Sequence, residues 1–165
     1  MKSLKAVSAA ALLTAAAALT ACSNGGDETP APEPVQWNSA SSCDLADPAT
    51  LEPLLTTGIT EGTASSVNGD TSCLWGSVEQ MNTVSVALNS SPQDLPELRT
   101  IDVVGQKGRV LAESKYQCTI EFETDSGVVT VEGKFGFDAM ANPDTSCNRV
   151  VPLAEEVLEN LAWSK

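Results

Sequence analysis

The chain has 165 residues, 22 acidic side chains against 9 basic ones, no histidine and a formal net charge of −13. That balance disfavours nucleic-acid binding, which rests on clustered Lys and Arg neutralising phosphates. Without histidine, Ser-His-Asp and Cys-His catalysis are excluded, and the five cysteines show no C-x-x-C spacing for a zinc or redox site.

Lys2 and Lys5 open the chain, an apolar run over 6–19 follows, and it closes on Leu19-Thr20-Ala21-Cys22. A positive start, a short apolar stretch and small residues describe a secretory signal. The run is shorter than the roughly 20 residues that cross a bilayer, and no basic stop-transfer flank follows. Its last four residues resemble the lipobox of bacterial lipoproteins. This implies removal of residues 1–21 and acylation of Cys22, the new N-terminus, by a diacylglyceryl (palmitate-type) anchor at the extracytoplasmic face of the cell membrane. Each buried methylene of such an anchor contributes about 0.8 kcal/mol. Loss of Lys2 and Lys5 takes the net charge to −15, so an anionic lipid surface repels the body within a Debye length of about 8 Å.

Residues 22–40 are rich in Gly, Pro, Ser and acids, including Gly25-Gly26-Asp27-Glu28 and Pro30-Ala31-Pro32-Glu33-Pro34. They read as a tether that reaches roughly 55 Å if extended and about 25 Å as a flexible coil. Trp37 is expected to pack the end of that tether onto the domain. Residues 41–165 suffice for one domain with a single core.

In chain order, 44–55 reads as a short helix, with a capping Asp, Pro48, and Leu51, Leu54 and Leu55 on one face. Strands are expected over 71–78 and 83–89, joined by a turn at 79–82. Residues 91–98 could start a brief helix, though Pro92 and Pro96 keep it short or irregular. Strands over 109–114, 116–124 and 128–137 form a meander with a turn at Asp125-Ser126-Gly127. Cys118, Ile120 and Phe122 alternate with Thr119, Glu121 and Glu123, so one face is buried and the other is wet. A C-terminal helix follows, its stripe of Val150, Val151, Ala154, Val157, Leu158, Leu161 and Ala162 opposite Glu155, Glu156 and Glu159. Pro152 requires that helix to start close to Asn148 or to kink. The fold class is α+β: an antiparallel sheet of about five strands packed by an N-terminal and a C-terminal helix.

With Cys22 committed to lipid, Cys43, Cys73, Cys118 and Cys147 remain, an even number suited to two disulfides outside the cytoplasm. Three pairings are possible. The preferred one joins Cys43 to Cys73 and Cys118 to Cys147, each closing a loop of about 30 residues between a helix and a strand, for about 3.7 kcal/mol apiece by chain entropy.

The element order, with Ser42-Cys43-Asp44-Leu45, Ser72-Cys73-Leu74-Trp75, Val104-Gly105-Gln106-Lys107-Gly108, Cys118-Thr119-Ile120 and a late Cys147 before a helix, resembles the DUF3558 lipoproteins of actinobacteria over about residues 40–163. The resemblance implies the envelope of a high-GC Gram-positive cell and brings no catalytic residues with it.

Two clusters are candidate sites. Glu121, Glu123 and Glu132 could meet on the wet face of the meander, where crowded acids raise a pKa or hold calcium; a solvated strand face is the simpler reading. Lys107, Arg109 and Lys115 place three cations within nine residues and are candidates for contact with an anion. No metal site and no cofactor are expected. The preferred function is a non-enzymatic, lipid-anchored interaction module with an envelope protein partner, such as an accessory subunit or regulator of a membrane complex. A carrier of lipid or another hydrophobic small molecule, with a cavity between sheet and helix, is the alternative. A carboxylate hydrolase comes last, since it needs two inward-facing acids with perturbed pKa values.

Overall fold

In a computed structural model the described residues are 31–56, 58–59, 61–140 and 146–165. The signal segment, the lipobox with Cys22 and residues 22–30 of the tether lie outside them. Runs of β-branched residues with period-two alternation build seven strands: β1 (Thr63–Val67), β2 (Asp70–Ser77), β3 (Asn82–Asn89), β4 (Arg99–Val103), β5 (Gln106–Glu113), β6 (Gln117–Thr124) and β7 (Gly127–Phe135). They form one antiparallel sheet in the order β1-β2-β3-β7-β6-β5-β4. Two meanders thus meet where β3 pairs with β7 from Asn82↔Phe135 to Asn89↔Val128.

The five expected strands are all present, and the correction is to their number. β1 and β4 were not anticipated, and they are the two edges of the sheet. Every residue of β1 is exposed, so no buried face imposes an alternation on its sequence. In β4 only Val103 is buried.

The inner face carries Val84, Val86 and Leu88 of β3, Cys118, Ile120 and Phe122 of β6, and Val129 and Val131 of β7, all fully buried. Helix α2 (Ser146–Asn160) covers it, packing on β6 and β7. Val150, Leu153, Ala154, Val157 and Leu158 of α2 are likewise buried to 0 % exposure, so side chains fill the space between sheet and helix. Pro152 sits in the second turn, where it forfeits the bond to the Asn148 carbonyl; Asn148 is exposed, which lets water meet that oxygen. The stripe read from sequence omits Leu153 and includes Val151 and Ala162, which are only partly buried.

The N-terminal helix expected over 44–55 is shorter than its pattern suggests. A 3-10 turn at Ser42–Asp44 precedes one turn of helix, α1 (Pro48–Leu51). Pro53 cannot donate to the Ala49 carbonyl, so the helix stops there. Leu51, Leu54 and Leu55 nevertheless all enter the core. Glu156 of α2 accepts from the Asp47 amide at 2.9 Å, and Asn160 donates to the Leu45 carbonyl at 3.2 Å; these bonds fix the segment to α2.

Residues 90–98 form no helix. They carry the chain from β3, in the middle of the sheet, to β4 at its edge, a crossing of four strand spacings or about 19 Å. Pro92 and Pro96 keep this strap extended over the outer face. Its polar anchors are Ser90 N–H to Asp70 (2.9 Å), Gln93 N–H to Glu121 (2.9 Å), and the Leu95 carbonyl accepting from Arg109 (2.9 Å).

The chain approaches the opposite end of the sheet from the 114–116 turn. Val35 donates its amide to the Leu161 carbonyl, Trp37 donates to that of Ser126, and the Trp163 indole N–H donates to the Val35 carbonyl. Trp37 packs on the β6–β7 turn, where a Cβ at Gly127 (φ +135°) would lie 2.4 Å from the Trp37 Cβ. Residues 35–37, compositionally part of the tether, therefore run against the body.

Candidate binding site on the outer sheet face

The face turned away from α2 is polar at its centre. Register places Lys134 between Thr83 and Gln117, Glu132 between Ser85 and Thr119, and Thr130 between Ala87 and Glu121. A bulge between Val110 and Ala112 in β5 breaks the alternation and leaves Leu111 and Ala112 facing this side.

Three turns converge at one end of this face: Val78–Met81 between β2 and β3, residues 114–116 between β5 and β6, and the 3-10 turn Gly136–Met140 after β7. Gly136 (φ +48°) permits close packing of two of them, since a Cβ there would lie 2.6 Å from the Gln80 carbonyl oxygen. The last turn is also held from below. Asp138 pairs with Arg149 of α2, whose guanidinium lies 3.9 Å from the centroid of the Phe135 ring. Between the turns opens a hollow of about 650 Å³, with Leu74, Val78, Met81, Tyr116, Phe137 and Met140 around it and Thr83, Gln117, Glu132 and Lys134 at its base. Val78, Phe137 and Met140 are 68 %, 75 % and 72 % exposed. Single exposed apolar side chains are ordinary, but five large ones around one concavity mark a binding surface.

A family model of proteins of unknown function, DUF3558, matches residues 17–160. The chain belongs to this family. No curated protein and no solved structure gives a significant match. The DUF3558 core carries both disulfides, Cys43–Cys73 and Cys118–Cys147, in the preferred pairing, and they mark an extracytoplasmic or secreted protein. Among the described residues no helix is long and apolar enough to cross a membrane.

The three acids share the outer face but do not form one carboxylate site. Glu121 is sealed beneath the strap with no side-chain exposure, accepting from the Gln93 amide at 2.9 Å while Arg109 Nη1 lies 3.3 Å from its other oxygen. Glu132 accepts from Thr119 Oγ1 and Gln117 Nε2, both at 3.1 Å, and pairs with Lys134 Nζ at 2.7 Å. Glu123 is exposed beyond them. Among the described residues no group of three or more metal-ligating side chains is placed to hold an ion.

Nor are the three cations brought together. Lys107 and Arg109 share a face of β5, and Arg109 is engaged by Glu121, Glu97 and the Leu95 carbonyl. Lys115 lies beyond the far end of β5, roughly 20 Å from Lys107, 4.8 Å from the centroid of the Tyr116 ring. The residues around the hollow, Val78, Met81, Tyr116, Phe137 and Met140, carried no site motif. Their available signal was large apolar side chains falling in or beside turns.

Proposed function

We propose that this DUF3558 protein is a non-enzymatic binding module, held at the extracytoplasmic face of the membrane by a lipid on Cys22, that takes a hydrophobic molecule into the outer-face hollow. The observation that carries the reading is a concavity of about 650 Å³ ringed by exposed apolar side chains, within the usual range for small-molecule sites. The alternative cavity between sheet and helix has no support, because α2 and the inner face fill that space. The tether reaches the body at the Ser126 end of the strands, while the hollow lies at the other end, about 26 Å away along eight residues of strand. Nile red fluorescence tests the reading on secreted full chain carrying Cys22→Ser: saturable binding that Phe137→Asp or Met140→Asp weakens about tenfold is expected. Absence of binding by a folded chain would refute it. A protein partner on the same turns is the second reading, favoured by how far Val78, Phe137 and Met140 stand exposed. Crosslinking at this end should then recover one reproducible envelope protein, and Phe137→Asp should release it.

A further inference from the structure

A second hollow of about 290 Å³ adjoins the first, and the two share Gln117 and Glu132. Resting on the binding role just described, we infer that the ligand is an amphiphile with one apolar arm and a neutral head group bearing hydroxyls or amides. The change of chemistry along the groove carries this assignment. At the open end the walls are Val78, Met81, Phe137 and Met140. At the inner end hydroxyls and amides enter the lining: Ser85, Asn89, Thr119 and Thr130 stand among small or aliphatic neighbours such as Ala87 and Leu111, with Gln93 of the strap at the side. Thr130 Oγ1 already accepts from Asn89 Nδ2 at 3.3 Å and Gln93 Nε2 at 3.2 Å, so the polar groups that these residues bring to the hollow are neutral hydroxyls and amides.

The charges near the groove are matched within the protein. Glu132 is paired to Lys134 and also accepts from Thr119 and Gln117, and Glu121 is closed off beneath the strap. A cationic head group therefore meets no unmatched carboxylate there. An anionic one meets a chain of net charge −13, whose field opposes it. Neutral hydrogen-bonding groups satisfy this floor without uncovering a buried charge. From Phe135, where β7 ends, to Thr130 is five residues, about 17 Å of strand, and the strap crosses the inner end. The ligand lies along β7 with its head against Gln93 and Leu95 of the strap and its apolar arm between the turns.

Calorimetry on the secreted Cys22→Ser chain with three detergents below their micelle thresholds tests this assignment: octyl glucoside, octyl sulfate and octyltrimethylammonium. Octyl glucoside is expected to bind at least about tenfold more tightly than either charged detergent. Thr130→Val should weaken octyl glucoside about tenfold while leaving Nile red binding unchanged, the control that the hollow is intact. Equal affinities for the three heads, or an indifferent Thr130→Val variant, with Nile red still bound, would overturn the head-group assignment and leave the binding role standing. Failure of the wild-type chain to bind either octyl glucoside or Nile red would overturn both.

Discussion

Arg109 and Glu121 pair across β5 and β6, yet removing either partner should have very different consequences. Glu121 has no side-chain exposure, whereas Arg109 is 29 % exposed. With Arg109→Met, the Glu121 carboxylate keeps the Gln93 amide but loses its counter-ion in a site water does not reach, a situation that costs about 3–5 kcal/mol. With Glu121→Gln, the guanidinium retains the Leu95 carbonyl at 2.9 Å and Glu97 at 3.9 Å, and stays wet. What is lost is the charged character of one hydrogen bond and a loose ion pair, about 1–2 kcal/mol. Urea unfolding of wild type, both single variants and the double variant gives the two costs and their coupling. Arg109→Met should be the worse single variant by at least about 1 kcal/mol, and the double variant should be more stable than Arg109→Met alone. Hydrogen exchange at the Gln93 amide should accelerate in both single variants, since that amide is the strap's bond to Glu121. Equal costs, or a double variant that is merely additive, would show that Glu121 is not a buried charge dependent on Arg109.

Removing the staple between β6 and α2 with Cys118→Ala and Cys147→Ala opens a loop of 29 residues, for an expected loss of about 3.7 kcal/mol; a loss below about 1 kcal/mol in urea unfolding would refute the chain-entropy account. Gly133→Ala would place a Cβ 2.7 Å from Phe135 Cζ and 2.9 Å from Val150 Cγ2, so the sheet and α2 must separate, costing about 1–3 kcal/mol; an unchanged midpoint in thermal unfolding would contradict the packing. The bidentate bond from Arg99 holds the Glu113 carboxyl below its usual range, against the opposing effect of burial. A depressed pKa adds stability above the unfolded value of about 4.3 and loses it as pH falls through the folded value. With Arg99 40 % and Glu113 22 % exposed, screening keeps the gain under about 1 kcal/mol. The deficit of Glu113→Gln at pH 7 should therefore close by about pH 3, and a deficit independent of pH would refute the linkage.

The parts of the fold that could be read from sequence are those in which one face is buried. β2, β3, β6 and β7 alternate because their inner residues meet α2 or the N-terminal segment, and burial writes period two into the chain. α2 was legible from its stripe for the same reason. β1 and β4, as edges, are fixed by backbone pairing to a single neighbour, and pairing leaves no mark on side-chain order. Asn68-Gly69 was a usable hairpin signal for β1 that composition alone obscured: both residues have positive φ, as a two-residue turn requires. The short N-terminal helix shows the converse error. Leu51, Leu54 and Leu55 share a face at helical spacing, but Pro53 ends the helix and the last two leucines reach the core from turns.

The site was less legible, because it is made by topology and not by a motif. Glu121 looks like a solvent-facing strand residue by its alternation with Ile120 and Phe122. It is buried only because the chain must cross from β3 to an edge four strands further on, and that crossing roofs its face. No local pattern encodes such a roof. The hollow has the same origin: turns from residues 78–81, 114–116 and 136–140, far apart in sequence, meet at one end of the sheet. Their apolar residues would read individually as unremarkable surface. The Asp138–Arg149 pair ties the 136–140 turn to α2 from the core side, and Gly136 lets it close on Gln80. A turn held this firmly while Phe137 and Met140 remain exposed keeps apolar area in water without collapsing over it, an arrangement that costs free energy unless something binds there.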